Sequence, residues 1–409
     1  MPVMLLVLSF GPYVFVSWGV RVSHLALYPL AILAVPLLFR ARFEKSVWWF
    51  LSVVTVPFLL TLGCAVLVVS CRGGAVSTFK LLSHFENFVQ PVALVVVMSA
   101  FTLQNRDSNT EDLLRRSCQL LVMLLCLNTV VALVQMRCDI SGVLVYFTGT
   151  VPYEMSVNYL ASLMDRYCGI FNQPLEAGLA YTAGLFAWGY IERQRGKISL
   201  VAVFGLAGLC LGGLVTVSKI FILGGIPLFA VYWLCGRKQG LRVSRPVLIA
   251  APFVLGTVVY LALKWPGWWF LKLLVPEEGA TLGELIDRYT GHRFGMETSG
   301  VGLVFREVWQ ASPLVGIGLG SRATLDSGYL EFLYQAGLVG LLSYLTVLGG
   351  LVWGAYLCRR EERRLLIAMA VLAMGGSIGG PVLTVNRFAV IFWVIYMLGF
   401  AKGIRVADA

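Results

Sequence analysis

The residues that could do chemistry stand out because the chain around them is apolar. Arg166, Lys219, Arg288, Arg293, Arg306 and Arg322 are cations near the edges of hydrophobic runs, and Glu176, Asp326 and Glu331 are carboxylates in similar places. Guanidinium groups bind phosphate oxygens two at a time and an ammonium acts as a point charge, so this set suits an anionic phosphate headgroup. A carboxylate, or the imidazole of His292, can take the proton of an attacking hydroxyl. Asn172, Gln173 and Tyr329 add hydrogen-bonding capacity beside them. Lys219 is the most exacting case. Ser218-Lys219 separates two apolar runs with almost no loop, and an ammonium at that depth needs a partner or a ligand unless it snorkels to the interface.

The elements that must position these groups are membrane spans. Of 409 residues, 58% are hydrophobic and 13% charged, against about 25% charged in soluble domains. A soluble enzyme, a disordered chain and a disulfide scaffold are excluded. About 20 apolar residues cross a bilayer as a helix. On that measure twelve spans are expected, near 3–20, 23–39, 47–70, 82–103, 118–136, 177–192, 198–217, 220–235, 247–263, 328–357, 365–385 and 388–402. The first is read as a retained helix, since it lacks the basic start of a signal peptide. The fold class is therefore an all-α polytopic membrane protein, and residues 1–409 read as one integral membrane domain.

The net charge of +11 would suggest nucleic acid in a soluble chain; here it reports topology. More than half of the 32 Lys and Arg fall in alternate short connections, such as Arg40–Lys45, Arg193–Lys197 and Arg359–Arg364. The positive-inside rule then puts both termini in the cytoplasm and the two long loops, 137–176 and 264–327, on the outer side. The second loop opens with an aromatic cluster, Trp265, Trp268, Trp269 and Phe270, suited to the membrane interface, followed by short amphipathic helices near 281–294 and 299–311. In the latter, Val304, Val308 and Ala311 share one face and Arg306 lies on another. Gly316-Ile317-Gly318-Leu319-Gly320 follows no strand of a βαβ unit, so it reads as a turn allowing close approach, not a nucleotide loop. Cys138 and Cys168 would both face outward, either paired or as free thiols; no Cys or His spacing suggests a metal.

An ordered set of short motifs resembles the O-antigen ligase and Wzy-type polysaccharide polymerase superfamily. They are Arg166-x-x-Gly169-x-Phe171-x-Gln173-Pro174, Ser218-Lys219, Pro313 to Gly320, Asp326-Ser327-Gly328-Tyr329-Leu330-Glu331, and Gly337-Leu338-Val339-Gly340. The resemblance runs from about 165 to 350. It implies a GT-C-like fold with a large helical periplasmic loop, in the bacterial inner membrane. It implies transfer of a glycan from undecaprenyl diphosphate to a sugar hydroxyl on the periplasmic side, without metal or other cofactor. Donor and acceptor lipids, a chain-length regulator and a flippase are the implied partners, and no nucleic acid.

By the same resemblance Arg166 and Lys219 would clamp the diphosphate, with Arg293 or Arg306 as a third contact, and Arg288 and Arg322 nearby. Asp326 occupies the position of the family's histidine and is the first choice of base, with Glu176, Glu331 and His292 behind it. Two departures favour a polymerase over a ligase. Asp326-Ser327 replaces the ligase histidine-asparagine pair, and no Gly-Arg-x-x-x-Trp pattern precedes Pro313. A ligase that joins glycan to lipid A–core is the nearest alternative. A lipid-linked oligosaccharide or ion-coupled transporter is the other, and His84, Glu86 and Asn87 inside the fourth span are the residues that favour it.

Overall fold

The computed structural model describes residues 1–15, 19–41, 43–72, 78–102, 109–235, 242–243, 256, 300–320, 325–384 and 386–404. The expected span at 247–263 and the helix near 281–294 lie outside them, as do Arg288, His292, Arg293 and Arg322. The described helices are α1 (Pro2–Ser9), α2 (Val22–Arg40), α3 (Lys45–Arg72), α4 (Thr78–Thr102), α5 (Asn109–Gln135), α6 (Ser141–Thr148), α7 (Val157–Ser162), α8 (Pro174–Arg195), α9 (Leu200–Val215), α10 (Ile226–Cys235), α11 (Gly300–Ala311), α12 (Gly328–Tyr356), α13 (Arg360–Gly376) and α14 (Asn386–Gly403). Five of them, α2 to α5 and α12, are long and apolar enough to cross a membrane; α9 and α10 are shorter apolar helices. This is the make-up of a multi-pass membrane protein.

The first expected span does not form. After Ser9 the chain turns at Gly11-Pro12 into a short hairpin, Tyr13–Phe15 against Val20–Arg21. Pro12 has no N–H for a helix and disfavours helical backbone at Gly11, which overrides the apolar run. The span expected at 365–385 is also displaced. It begins at Arg360 and ends at Gly376, before Gly379-Gly380-Pro381.

α14, expected as a short last span, is the core of the bundle. Phe388 through Phe400 are buried on every side, as an all-round apolar helix must be. It packs against α1, α4, α5, α8 and α13. At its far end Lys402 meets Glu362 (3.4 Å) and the Tyr190 hydroxyl (2.8 Å), and the Arg359 N–H donates to the Gly403 carbonyl (2.7 Å). Arg193 donates there to the Tyr232 and Trp233 carbonyls that end α10. Several of the basic connections therefore gather at one end. Arg387 marks the other, about 22 Å away along the helix.

The glycine motifs explain a break in α12. Ala336 and Gly337 leave helical geometry, Gly337 at φ 62, ψ −150. The interruption frees the carbonyls of Tyr334 and Gln335 and the N–H groups of Leu338 and Val339. The segment before it satisfies all four. Ile317 and Gly318 donate to Tyr334 and Gln335 (2.8 and 3.1 Å), while Leu338 and Val339 donate to Pro313 and Leu314 (2.8 and 3.2 Å). Broken backbone at this depth is tolerated only when its polar groups are met in this way. The close approach expected of the glycine run is thus made by the chain itself. A Cβ at Gly337 would lie 2.4 Å from the Leu314 carbonyl carbon, in a backbone region reserved for glycine. Gly337→Ala should destabilise the protein by about 1–3 kcal/mol; an unchanged Tm in detergent would contradict this account of the break.

Candidate functional site

At the Arg387 end lies a cavity of about 210 Å³. Thr148, Thr150 and Ser156 from the first long loop form one wall, Asn172 and Gln173 a second, Leu325 and Asp326 a third, and Gly379 to Pro381 a fourth. The structure therefore joins the first motif to the Asp326 motif. The polar part of the lining is hydroxyls, amides and one carboxylate, Val157, Leu325 and Pro381 supply apolar surface, and Asp326 is exposed.

Amide side chains hold the first motif in shape. Asn158 donates to the carbonyls of Gly169 (2.9 Å) and Phe171 (2.6 Å). Gln135 links Asn158 to the Gly169 N–H, and Asn128 accepts from Ile170 (2.9 Å) and donates to Cys168 (3.2 Å). Asn128 and Gln135 are amides in the apolar second half of α5, and holding this loop is their structural purpose. Gly169 adopts φ 61 where the loop turns over Asn128.

Glu176 closes the next turn. Its two oxygens accept the N–H groups of Asn172 (2.9 Å) and Arg387 (2.6 Å), and it is buried. Arg387 is fully buried. Its guanidinium donates to Asn172 Oδ1 (3.1 Å) and to the carbonyls of Gly11 (3.2 Å) and Phe147 (2.7 Å). Tyr13 lies between two cations, with Arg387 and Arg21 at 5.7 and 5.9 Å from its ring. Arg21 Nε donates to His24, which pairs with Glu86 (2.9 Å), itself bonded to Tyr28 (3.2 Å). Glu86 is thus closed into an interhelical network.

The Asp326 segment is held as firmly. Glu331 accepts the Leu325 N–H (2.7 Å) and a Gln335 amide hydrogen, with His84 at 3.7 Å. The Ser327 hydroxyl (3.2 Å) and Gly328 N–H (2.8 Å) donate to the Ser377 carbonyl. Tyr329 donates to Met374 (2.9 Å) and packs edge-on against Tyr344. Leu325 also packs against Val304 and Val308 of α11, whose opposite face exposes Arg306. Ala311, expected on the buried face, is exposed.

The segments that carry Arg166 and Lys219 are linked through the backbone. The Tyr167 N–H donates to the Val215 carbonyl (3.1 Å), which ties the Arg166 loop to the Ser218-Lys219 turn. Gly178 lets buried Ser218 approach α8; a Cβ there would lie 2.2 Å from its hydroxyl. Both cations are half-buried, and neither lines the 210 Å³ cavity. Cys168 lies close to Arg166. Burial pushes its thiol up to about 12, with the guanidinium pulling the other way. Cys168 is a buried free thiol and Cys138 an exposed one, so the disulfide option is not taken.

The geometry sorts the expected site residues. Asp326, Asn172 and Gln173 share the cavity, while Arg166 and Lys219 stand outside its lining on two segments joined by the Tyr167–Val215 hydrogen bond. Glu176 and Glu331, weighed as bases, spend their carboxylates on backbone N–H groups and act as positioning residues. Tyr329 is a packing residue, and Arg306 stands on an exposed helix face. Arg387 is not among the expected site residues, because it falls between two apolar runs. A charge directly before the fourteen uncharged positions from Phe388 to Ala401 is the signal that could have found it. No protein-family model matches the chain, and no curated protein matches it in sequence. Among the described residues no group of three or more His, Cys, Asp or Glu is placed to hold a metal.

Proposed function

We propose that this chain is a membrane glycosyltransferase that polymerises undecaprenyl-diphosphate-linked oligosaccharide repeat units into a bacterial surface polysaccharide. The observation that carries the reading is the shared cavity of Asn172, Gln173 and Asp326. Hydroxyls and amides both donate and accept, as sugar hydroxyls do, and a lone carboxylate is exposed among them. The meeting of motifs far apart in sequence adds support, as do the candidate spans.

In this reading the acceptor hydroxyl oxygen attacks the anomeric carbon of the donor, and the bond from that carbon to the diphosphate oxygen breaks. Asp326 takes the hydroxyl proton, and the diphosphate leaves with the bonding electrons. Direct displacement inverts the anomeric configuration. Arg166 and Lys219 stabilise the charge that grows on the departing diphosphate, a role fixed cations perform well in a water-poor site. The cavity faces the periplasm, the C-terminus faces the cytoplasm, and the spans form a GT-C-like bundle.

The test is to incubate purified protein with a synthetic undecaprenyl-diphosphate repeat unit and resolve the products by mass. A ladder of lipid-linked oligomers is expected. Absence of any transfer overturns the reading, and glycan joined only to lipid A–core converts it to a ligase. Arg166→Gln and Lys219→Gln should each slow ladder formation by roughly 10² with membrane insertion intact. A full-rate variant would remove that residue from the clamp.

A further inference from the structure

A second feature lies at the opposite end of the bundle, on the outer face of α3 and α12. These helices run antiparallel. Phe58 meets Phe332 at 6.0 Å, Val53 faces Gly350, and Phe50 faces Gly354. Towards the start of α3 and the close of α12, an open groove of about 510 Å³ is lined by Trp49, Val53, Gly349, Gly350 and Trp353. It exists because glycine stands at two successive positions of α12. A Cβ at Gly349 would meet nothing within 4 Å. The groove is apolar, and both indoles stand at its rim, Trp49 65% and Trp353 40% exposed.

The surroundings have a direction. Lys45 is exposed one helical turn before Trp49, at the end of α3 that lies alongside the close of α12. Beyond exposed Tyr356, the chain leaves α12 through exposed Arg359 and Arg360. The Arg363 guanidinium sits over the Tyr356 ring at 5.5 Å and donates to the Cys358 carbonyl. The acids nearby are Glu44, which accepts from Ser46, Glu361, and Glu362, which pairs with Lys402. The order along the helix axis is thus an apolar groove, then amphipathic aromatic rings, then a net positive collar. Indoles and phenols favour the level of lipid headgroups, and cations just past them favour anionic ones.

We infer that this groove holds one anionic phospholipid, with an acyl chain between Trp49 and Trp353 and its phosphate against Lys45, Arg359 and Arg360. The site is independent of glycosyl transfer and lies at the other end of the bundle from the candidate cavity. A neutral isoprenoid would satisfy the groove but leave the collar without a partner, so the charge favours the phospholipid.

Native mass spectrometry of the detergent-purified protein tests the inference, with phosphatidylglycerol and phosphatidylcholine of identical chains and an uncharged polyprenol as probes. One phosphatidylglycerol should be retained in preference to the other two. Gly349→Leu fills the groove from a position with open space around it and should abolish that retention. Lys45→Gln, at an exposed position, should weaken phosphatidylglycerol about fivefold and leave phosphatidylcholine unchanged. Equal retention of the charged and neutral lipids, or preference for the polyprenol, overturns the inference. So does unchanged phosphatidylglycerol retention in either variant. Should Gly349→Leu fail to fold, Lys45→Gln alone decides.

Discussion

Replacing Asp326 by asparagine is expected to slow transfer by a factor of about 10²–10⁴ while leaving donor binding intact. The asparagine keeps the size and one carbonyl oxygen of the side chain but cannot take a proton near neutral pH. The surrounding structure isolates this effect. The backbone on either side of Asp326 is held by other groups: Leu325 by the Glu331 carboxylate, and Ser327 and Gly328 by the Ser377 carbonyl. Exchanging one exposed carboxylate oxygen for an amide should therefore leave the cavity walls in place. Single-turnover rates with the lipid-linked donor, set beside donor binding by the same variant, make the measurement. If the rate is unchanged, the proton goes elsewhere and Asp326 is at most an orienting residue. If binding falls with the rate, the carboxylate contributes to ground-state recognition instead.

The distinction between Asp326 and the two buried carboxylates was not legible from residue types. Glu176, Glu331 and Asp326 all stand near the start of a helix, where acids are generally favoured. Only their surroundings separate them. Glu176 is buried on two backbone N–H groups, Glu331 is buried on one backbone N–H and the Gln335 amide, and Asp326 is exposed at a cavity. The helices themselves were far more legible. α2 to α5 and α12 follow from length and apolarity, because a bilayer span imposes both. Where that signal failed, the cause was local chemistry, as at Gly11-Pro12, or burial, as at α14. A helix surrounded by protein has the same apolar composition as one facing lipid. Hydropathy alone could not place α14 at the centre, nor show that its first turn braces the cavity. Tertiary pairing was likewise invisible. Nothing in the sequence pairs the Gly316–Gly320 turn with Gly337 inside the expected span; four exchanged backbone hydrogen bonds join them.

Arg387→Met should cost roughly 3–5 kcal/mol, the largest stability loss expected of any single substitution at this end of the bundle. The reason is geometric. One guanidinium joins the segment before the hairpin through Gly11, the end of α6 through Phe147, and the first motif through Asn172, and its own N–H is held by Glu176. Methionine fills much of the volume and donates nothing, so it strands three half-buried acceptors at once. Each stranded acceptor carries a penalty of about 1–3 kcal/mol before relaxation. Lysine should fall between the two, because an ammonium supplies donors but not the planar fork that reaches three directions at once. Thermal unfolding in detergent should rank the proteins as wild type, lysine, methionine. Hydrogen exchange should rise first at Gly169 to Glu176, since that loop loses its anchor while α5 still holds its other side. A methionine variant with the wild-type Tm and an unchanged exchange pattern would mean that these contacts are incidental. The cavity would then owe its shape to the Asn128, Gln135 and Asn158 amides alone. If the loop loosens as expected, transfer should fall with it even though Arg387 does not itself line the cavity, because Thr148 and Asn172, on opposite walls, hang from the same side chain or its immediate neighbour.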